Sequence, residues 1–287
     1  MTVTSLNNYS FAFNNFVFGG ANSPYQITAV DGLASLPSLR VQDADRGYQD
    51  GMFSGRDFLG GRTVTITMLV LSGNGNSAQQ NFSLIQAALV PQQTGTTPLQ
   101  FQLSTATSLQ RVNARVRSRS AIIDPEFTYG YIKAQYTFYC PDPRFYDDTL
   151  QTATLVSSQP LGRTYNRVYP LTYGGGQQTN TALITNSGWT ATYPVITING
   201  PLGNPSVGNL TTGVVLSFNY TMTNLDVLTI DLDARTILLN GTPARNYVTG
   251  TSNWFSAAPG ANAFYFTGVG ATAGVTQATI TWRNAYI

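Results

Sequence analysis

Hydrophobic and polar residues alternate along several short stretches of this chain, most clearly in residues 228–241, LTIDLDARTILLNG. Leucine and isoleucine alternate there with threonine and aspartate, which is the period of a strand with one solvent-facing side. Residues 233–235 then supply a turn, and residues 236–239 resume an extended run. Asn240 and Gly241 suit a tight turn because both tolerate positive φ. The stretch predicts strand, turn, strand and turn, with no room for a helix.

The same alternation recurs across the last third of the chain. Residues 214–221, 263–267 and 278–283 each place aliphatic or aromatic side chains at every second position. Glycine, proline or asparagine bounds each run. Short alternating strands at nearly regular spacing are typical of a two-sheet antiparallel sandwich, so we predict that fold for the C-terminal half.

The first half of the chain also reads mainly as strands. The predicted strands are residues 16–18, 25–30, 62–71, 99–103, 111–119 and 133–139. The polar stretch of residues 42–51 carries most of the local charge and is predicted to be a loop. The fold class is therefore mainly β.

One helix is predicted in this half. Ser77 can cap it, with Gln80 three residues later completing a capping box. Phe82, Ile85 and Leu89 follow at helical spacing, and a proline at position 91 ends the helix at residue 90.

Two prolines within residues 140–146, CPDPRFY, forbid continuation of a helix or a central strand. We place a domain boundary just beyond them. The predicted organisation is a first domain at residues 1–148, a linker with the first strands of the second domain at 149–188, and a second domain at 189–287. The three glycines at residues 174–176 are predicted to form a loop.

Charged residues make up only 10% of the 287-residue chain, while tyrosine and phenylalanine are frequent. A surface with so few charges is poorly protected against association, so we expect much of it to be covered in an assembly. The net charge of +2 argues neither for nor against nucleic acid. No stretch approaches a membrane span or a signal peptide, and we expect synthesis in a cytoplasm.

The absence of histidine and the single cysteine exclude several kinds of chemistry. Ser-His-Asp and Cys-His catalytic arrangements, an ordinary zinc or iron site and an intrachain disulfide are all ruled out. Glycines at residues 73–75 and 174–176 lack the rest of a phosphate-binding signature and are interpreted as turns. A paired-carboxylate glycosidase would have to rely on Glu126 and a few aspartates. We therefore predict a protein that is not an enzyme and holds no cofactor.

Two groups of aspartates could be considered for calcium. Asp226, Asp231 and Asp233 could bring oxygens together, but Asp231 and Asp233 are more simply the solvent face and turn of a strand. A calcium site also needs six or more oxygens. Residues 43, 45 and 50 faintly resemble an EF loop, but the expected glycine and terminal glutamate are misplaced. No metal site is predicted.

Several motifs occur together in an order that resembles one family. In the first half these are a hydrophobic strand before DGL (residues 31–33), GRDFLGGRTVTITMLV (55–70), the single helix and YTFYCPDPRFYDD (136–148). In the second half they are Tyr193-Pro194, NPSVGNLTTG (204–213), LTIDLDARTILLNG, SNWF (252–255), PGAN (259–262) and TITWRNAY (279–286). The chain resembles the distal tail protein, or minor tail protein, of long non-contractile-tailed bacteriophages (siphophages).

This resemblance implies a belt-type β-sandwich with one α-helix in the N-terminal half and a galectin-like antiparallel β-sandwich in the C-terminal half. It implies a homohexameric ring at the distal end of the virion tail, joining the tail tube protein to the tip or baseplate hub protein. The tape measure protein and a host cell-surface glycan are further partners to consider. Neither sequence-specific nucleic acid binding nor membrane insertion is expected.

One predicted strand carries a row of arginines: Arg111, Arg115, Arg117 and Arg119 alternate with Val112, Ala114 and Val116. In a ring, this face could pair with acidic groups of a neighbouring subunit or line the channel through which DNA leaves. Subunit contact is favoured because DNA must slip through rather than bind. The alternative is a solvated strand face.

Three tryptophans could form a saccharide platform. Trp282 shares the parity of buried positions and is predicted to lie in the core, whereas Trp254, in a turn-rich stretch, is the candidate for saccharide contact. Two alternative functions stay open at this point. One is a carbohydrate-binding module for host attachment, and the other is the tail tube protein itself.

Overall fold

The computed structural model describes residues 5–104, 107–156, 180–272 and 275–287. The chain divides into two units, Met1–Asp148 with Ile287, and Thr149–Tyr286. Both consist mainly of antiparallel strands, as the sequence predicts. No helix in these ranges is long and apolar enough to cross a bilayer. The predicted loop at residues 174–176 lies outside the described residues.

The first unit is built around long antiparallel strands that pair in the order β2-β1-β9-β10-β11-β8-β3, with β12 beside β10. Its strands are β1 (Ser10–Phe13), β2 (Phe16–Gly19), β3 (Tyr25–Asp31), β4 (Leu39–Arg40), β5 (Ala44–Asp45), β6 (Met52–Phe53), β7 (Phe58–Leu59), β8 (Arg62–Val70), β9 (Thr97–Gln102), β10 (Gln110–Ala121), β11 (Ile132–Cys140) and β12 (Phe145–Asp147).

Strand β10 belongs to both halves of this unit. Its first residues pair with β9 and β12, and its later residues pair with β11. The core fills the space between the two groups of strands, where the rings of Phe13 on β1 and Phe138 on β11 lie 5.3 Å apart. Every second residue of β8 from Val64 to Val70 is buried, because its alternating pattern directs one face to this core. Burying each such side chain contributes about 1.5–3 kcal/mol.

Helix α1 (Ala78–Ala88) begins where the sequence predicts. The Ser77 hydroxyl accepts the Gln80 N–H, and the Gln80 side chain accepts the Ser77 N–H, which completes the capping box. Ile85 and Leu89 are fully buried on its inner side. A second helix, α2 (Pro125–Thr128), was not predicted, so the expectation of a single helix is wrong.

The second unit contains two antiparallel sheets, in the orders β13-β23-β15-β19-β20-β21 and β14-β22-β16-β17, with β18 beside β16. Its strands are β13 (Gln151–Val156), β14 (Thr181–Asn186), β15 (Val195–Asn199), β16 (Leu202–Asn209), β17 (Val214–Ser217), β18 (Thr221–Met222), β19 (Val227–Asp231), β20 (Thr236–Leu239), β21 (Thr242–Pro243), β22 (Gly260–Val269), β23 (Gln277–Trp282) and β24 (Ala285–Tyr286). A 3-10 helix spans Arg245–Tyr247.

One hydrophobic core joins residues of both sheets, including Ile196, Ile230 and Ile280 from one sheet and Phe264 and Phe266 from the other. The predicted parity of the closing strand is confirmed, since Ala278, Ile280 and Trp282 are all buried. The galectin-like description of this sandwich stays a prediction.

The strand-turn-strand-turn prediction for residues 228–241 is confirmed by β19 and β20. The Asp231 carboxylate accepts the N–H groups of Asp233 and Ala234, both at 2.9 Å, and so closes the first turn. Asn240 and Gly241 adopt positive φ in the second turn.

Candidate assembly surface

A two-stranded arm leaves the first unit between β3 and β8. We define the arm as residues 38–59, all of which are exposed. Strand β4 pairs with β7, and β5 pairs with β6 further out, so the two short ladders follow one another along a single hairpin. The Asp43 carboxylate accepts the Gly55 N–H at 2.8 Å between them. The predicted loop at residues 42–51 is therefore wrong in part, because it contains β5 and the tip of this hairpin.

The arm exposes large apolar side chains rather than burying them. Met52, Phe53 and Leu59 are all open to solvent, and Phe53 is 61% exposed. Arg46 lies over the Phe53 ring, and Arg40 and Arg56 lie near the Phe58 ring. An isolated two-stranded hairpin is marginally stable in water, and exposed apolar patches mark interaction sites. These features make the arm a candidate interaction surface.

Arg62, the first residue of β8, anchors the base of the arm. Its guanidinium donates hydrogen bonds to the backbone carbonyls of Gly32 and Leu33 at 2.8 Å, and also to that of Ser35. Its Nε donates to the Pro143 carbonyl at 3.0 Å. The side chain is only 2% exposed, and burial lowers the pKa of Arg62.

The four arginines predicted to share one face of β10 lie in three different environments in the structure. Arg111 forms an ion pair with Asp148, and its Nε lies 2.6 Å from the carboxylate. Both side chains are largely buried, so Arg111 is already neutralised within its own unit.

A β-bulge in β10 changes the direction of Arg119. The pairing with β11 shifts between Val116 and Ser118, which inserts one extra residue at Arg117. Beyond the bulge Arg119 stands opposite the buried Tyr136 and donates to the Gln86 carbonyl of α1 at 3.0 Å. The prediction that Arg119 shares a face with the other arginines is therefore wrong, because the bulge reverses the alternation.

Arg115 and Arg117 remain together, and both approach the ring of Tyr139 of β11. Their guanidinium carbons lie 5.7 and 4.3 Å from the centre of that ring. We call Arg115, Arg117 and Tyr139 the arginine-tyrosine surface. Arg117 is exposed, and the buried Nε of Arg115 has no hydrogen-bond partner among the residues that the structure describes.

This surface lies at the base of the arm. Gly61, two residues beyond the arm, approaches Tyr139 so closely that a Cβ there would lie 2.6 Å from the tyrosine hydroxyl. A larger residue at this position would have to displace the ring.

Residues 187–286 match the sequence profile of the family described as "Siphovirus-type tail component, C-terminal domain". Residues 187–286 are thus similar to the C-terminal domain of siphovirus-type tail components. The match confirms the resemblance to the distal tail proteins of siphophages in the second unit. A search of curated proteins found no match.

Solved structures extend the likeness to the whole chain at the level of the fold. The crystal structure of SPP1 Dit (gp 19.1), described as a paradigm of hub adsorption apparatus in Gram-positive infecting phages, matches with a TM-score of 0.65 at 14% identity, covering 97% of this chain and 99% of that chain. A chain of the phage P2 baseplate, in its activated conformation with Ca, matches with a TM-score of 0.52 at 12% identity, covering 97% and 98%.

Three tryptophans lie in residues 187–286, and the structure places one of them differently from the prediction. Trp282 is in the core, as predicted, and its Nε1 donates to the Thr185 carbonyl at 3.1 Å. Trp254, the candidate saccharide contact, is partly buried and packs against the core, which leaves little ring surface for a sugar. Trp189 is the exposed one, at 68%, with its ring edge-on to Tyr286.

Two of the aspartates considered for calcium, Asp226 and Asp231, accept hydrogen bonds within turns. Asp226 accepts from the Thr223 N–H at 2.7 Å and from the Asn240 amide at 2.7 Å, and these bonds lower the pKa of Asp226. Within the described ranges, no three Cys, Asp or Glu side chains come close enough together to hold a metal ion.

Sequence reasoning missed the arm and Arg62. The alternation signal identifies strands with a buried face, and the arm has none. In the sequence Arg62 is simply the polar first residue of a strand, and only the tertiary fold places four backbone carbonyls around it. The paired glycines before it, Gly60 and Gly61, were the available signal for a close approach.

Proposed function

We propose that this tail component is a structural protein without enzymatic activity that forms a homohexameric ring at the distal end of a siphophage tail. The ring joins the tail tube protein on one side to the tip or baseplate hub protein on the other. The observation that carries this proposal is the arm, whose 22 residues are all exposed in the single chain. A segment of this kind is stabilised when a neighbouring protein covers it.

A closed ring suits the shape and charge of the first unit. When one head-to-tail contact is repeated around a cyclic axis, the ring closes and no copy of the contact surface is left uncovered. Such a contact uses different patches on the two partners. The arm projects from one place on the unit, so it can serve as one of two unlike patches. The low charge of the chain, 10% of its residues, also favours a surface that is covered in an assembly.

The match of residues 187–286 to a tail-component domain supports the adaptor role over that of the tail tube protein. The second unit is proposed to face the tip or hub. The tape measure protein is a further candidate partner, because it would pass through the ring. We propose synthesis in the host cytoplasm and no sequence-specific contact with DNA.

Immunogold labelling tests the position in the virion. Antibodies against the second unit, applied to virions that contain this protein, should label only the distal end of the tail in electron micrographs. Gold spread along the whole tail would indicate the tube protein instead. Virions without label, in a preparation where immunoblotting detects the protein, would count against an accessible position at the tip.

A second candidate function is contact with a host glycan, and Trp189 favours it. Exposed aromatic rings stack on sugar faces, and this ring is held edge-on by Tyr286 with a centroid distance of 4.8 Å. The test is a glycan array probed with the intact chain and with Trp189→Ala. Leu183→Ala is the matched control, since Leu183 is equally exposed in the same unit. Glycan binding that survives Trp189→Ala, or no binding at all, would exclude this site.

A further inference from the structure

We propose that Asn74 is a site of spontaneous deamidation, and that Asp226 protects the other asparagines of the same type. Asn74, Asn199 and Asn240 are the three asparagines of the chain that precede a glycine. Asparagine is thermolabile, and a following glycine leaves the attacking backbone nitrogen open because it has no side chain. The dipeptide alone makes all three residues candidates, and their surroundings in the fold separate them.

The reaction needs a free side-chain amide and a free backbone nitrogen. The nitrogen of Gly75 attacks Cγ of Asn74, a bond forms between these two atoms, and the Cγ–Nδ2 bond breaks. Ammonia leaves with the proton of the glycine nitrogen, and a cyclic succinimide remains. Water then adds to either carbonyl of this ring and opens it to aspartate or to isoaspartate. The net change is the uptake of a water molecule and the release of an ammonia molecule.

Asn74 meets both requirements. It lies in the tight turn between β8 and α1, where Gly73 and Asn76 exchange two backbone hydrogen bonds of 3.0 Å. Asn74 and Gly75 are both exposed. Within the described ranges, neither the Asn74 side chain nor the Gly75 N–H forms a hydrogen bond. Solvent therefore reaches the reacting atoms, and no contact holds them apart.

Asn240 has the same backbone geometry but a fixed side chain. The φ angle is 53° at Asn74 and 51° at Asn240, and the glycine that follows has a φ of 78° and 79°, respectively. The Asn240 Nδ2 donates to the Asp226 carboxylate at 2.7 Å, and its Oδ1 accepts the Val227 N–H at 2.9 Å. Because the backbone is shared, a difference in rate between the two turns reports these side-chain hydrogen bonds.

Asn199 lacks a free nucleophile. The N–H of Gly200, whose nitrogen would attack, donates to the Asp226 backbone carbonyl at 3.0 Å. Asn199 itself is paired with β19 on one side and with β23 on the other, which fixes its backbone in an extended conformation. Asp226 thus protects two sites, since its carboxylate holds the Asn240 amide and its carbonyl holds the Gly200 nitrogen.

Deamidation at Asn74 changes the charge of a cavity in the first unit. Asn74 lines this cavity together with Asn7, Asn8 and Asn22, and none of the described residues that line it is charged. The new carboxylate is the first charge there, and it lowers the formal net charge of the chain from +2 to +1. Isoaspartate also adds a methylene carbon to the main chain, which breaks the paired hydrogen bonds of the turn before α1.

Incubation of the folded chain at pH 8, followed by chymotryptic digestion and mass spectrometry, tests the proposal. The peptide with Asn74 should gain the mass of an amide-to-acid exchange at least about tenfold faster than the peptide with Asn240, because a hydrogen bond to a charged group must break before Asn240 reacts. Asn74→Gly suits the same turn and should abolish this product. In urea all three sites should react at similar rates. Equal rates at Asn74 and Asn240 in the folded chain, or a difference that persists in urea, would overturn the proposal.

Asp226→Ala tests the protective role, because it removes the carboxylate and keeps the backbone carbonyl. Deamidation should become several-fold faster at Asn240 and stay unchanged at Asn199, whose attacking nitrogen is still held. An unchanged rate at Asn240 would show that the carboxylate gives no protection. A rise at both sites would show that the second unit has opened, and the comparison of the unaltered chain with and without urea then decides.

Discussion

The guanidinium carbon of Arg62 lies 4.3 Å from the centre of the Phe145 ring. Arg62 therefore packs against the first residue of β12. On its other side the same guanidinium holds the carbonyls of Gly32 and Leu33, where the chain leaves β3 for the arm. A buried cation with only neutral partners thus ties the base of the arm to the end of the first unit.

Replacing Arg62 by methionine should therefore lower the free energy of unfolding of the first unit by about 3 kcal/mol, because several buried carbonyls lose their donors. Arg62→Lys should recover only part of this loss, since one ammonium cannot reach both sides. Urea denaturation followed by circular dichroism gives the values. Arg56→Met is the control, because Arg56 is exposed on the arm. An Arg62→Met variant as stable as that control would contradict the anchoring role.

The stability of the second unit should likewise depend on two buried asparagines, Asn209 and Asn262. The Asn262 side chain accepts the Ala258 N–H and donates to the Ala258 carbonyl, and it also accepts from Asn209 at 3.2 Å. Asn262→Ala should cost the unit about 2–3 kcal/mol, since the N–H and carbonyl of Ala258 and the carbonyl of Gly260 lose their partner. Thermal unfolding of the variant, compared with Asn219→Ala at an exposed site, measures the effect. Equal midpoints for the two variants would refute it.

Stability at alkaline pH should depend on Cys140 and Tyr136. Burial raises the pKa of the Cys140 thiol from 9.0 to about 12, and that of the Tyr136 hydroxyl from 10.0 to about 12. In this interval the folded state keeps protons that the unfolded chain loses. The stabilisation that these two protonated groups contribute is therefore complete below pH 9. The free energy of unfolding falls as the pH rises from about 9 to about 12.

Urea denaturation at pH 8, 10 and 11 checks this dependence. The slope of unfolding free energy against pH should be shallower in Cys140→Ala and in Tyr136→Phe than in the unaltered chain. Tyr129→Phe, which changes an exposed tyrosine, should leave the slope unchanged. If all four proteins share one slope, the two buried groups do not control it.

The tryptophans should differ in their access to solvent. Acrylamide should quench the emission of Trp189 strongly and that of Trp254 and Trp282 weakly, because Trp189 alone of the three is exposed. Replacing Trp189 by phenylalanine should remove most of the readily quenched emission. If Trp254→Phe removes it instead, the sequence-based choice of Trp254 as the surface tryptophan was correct after all.

Local patterns in the sequence predicted the elements that local interactions determine. The capping box at Ser77 and the alternation in β8, β19 and β23 depend on residues close together in the chain, and all were confirmed. The bulge at Arg117 depends on how β10 pairs with β11, so alternation alone placed Arg119 on the wrong face. Arg62 and Asn262 are polar residues whose partners come from the tertiary fold, which periodicity does not reveal.

The mass of the purified chain in solution tests the central claim of a ring most directly. Light scattering and negative-stain images of one sample should show a particle of six times the 31.0 kDa chain mass, with a central hole. A protein that stays a 31.0 kDa monomer at every concentration, alone and with the tail tube protein, would contradict the claim.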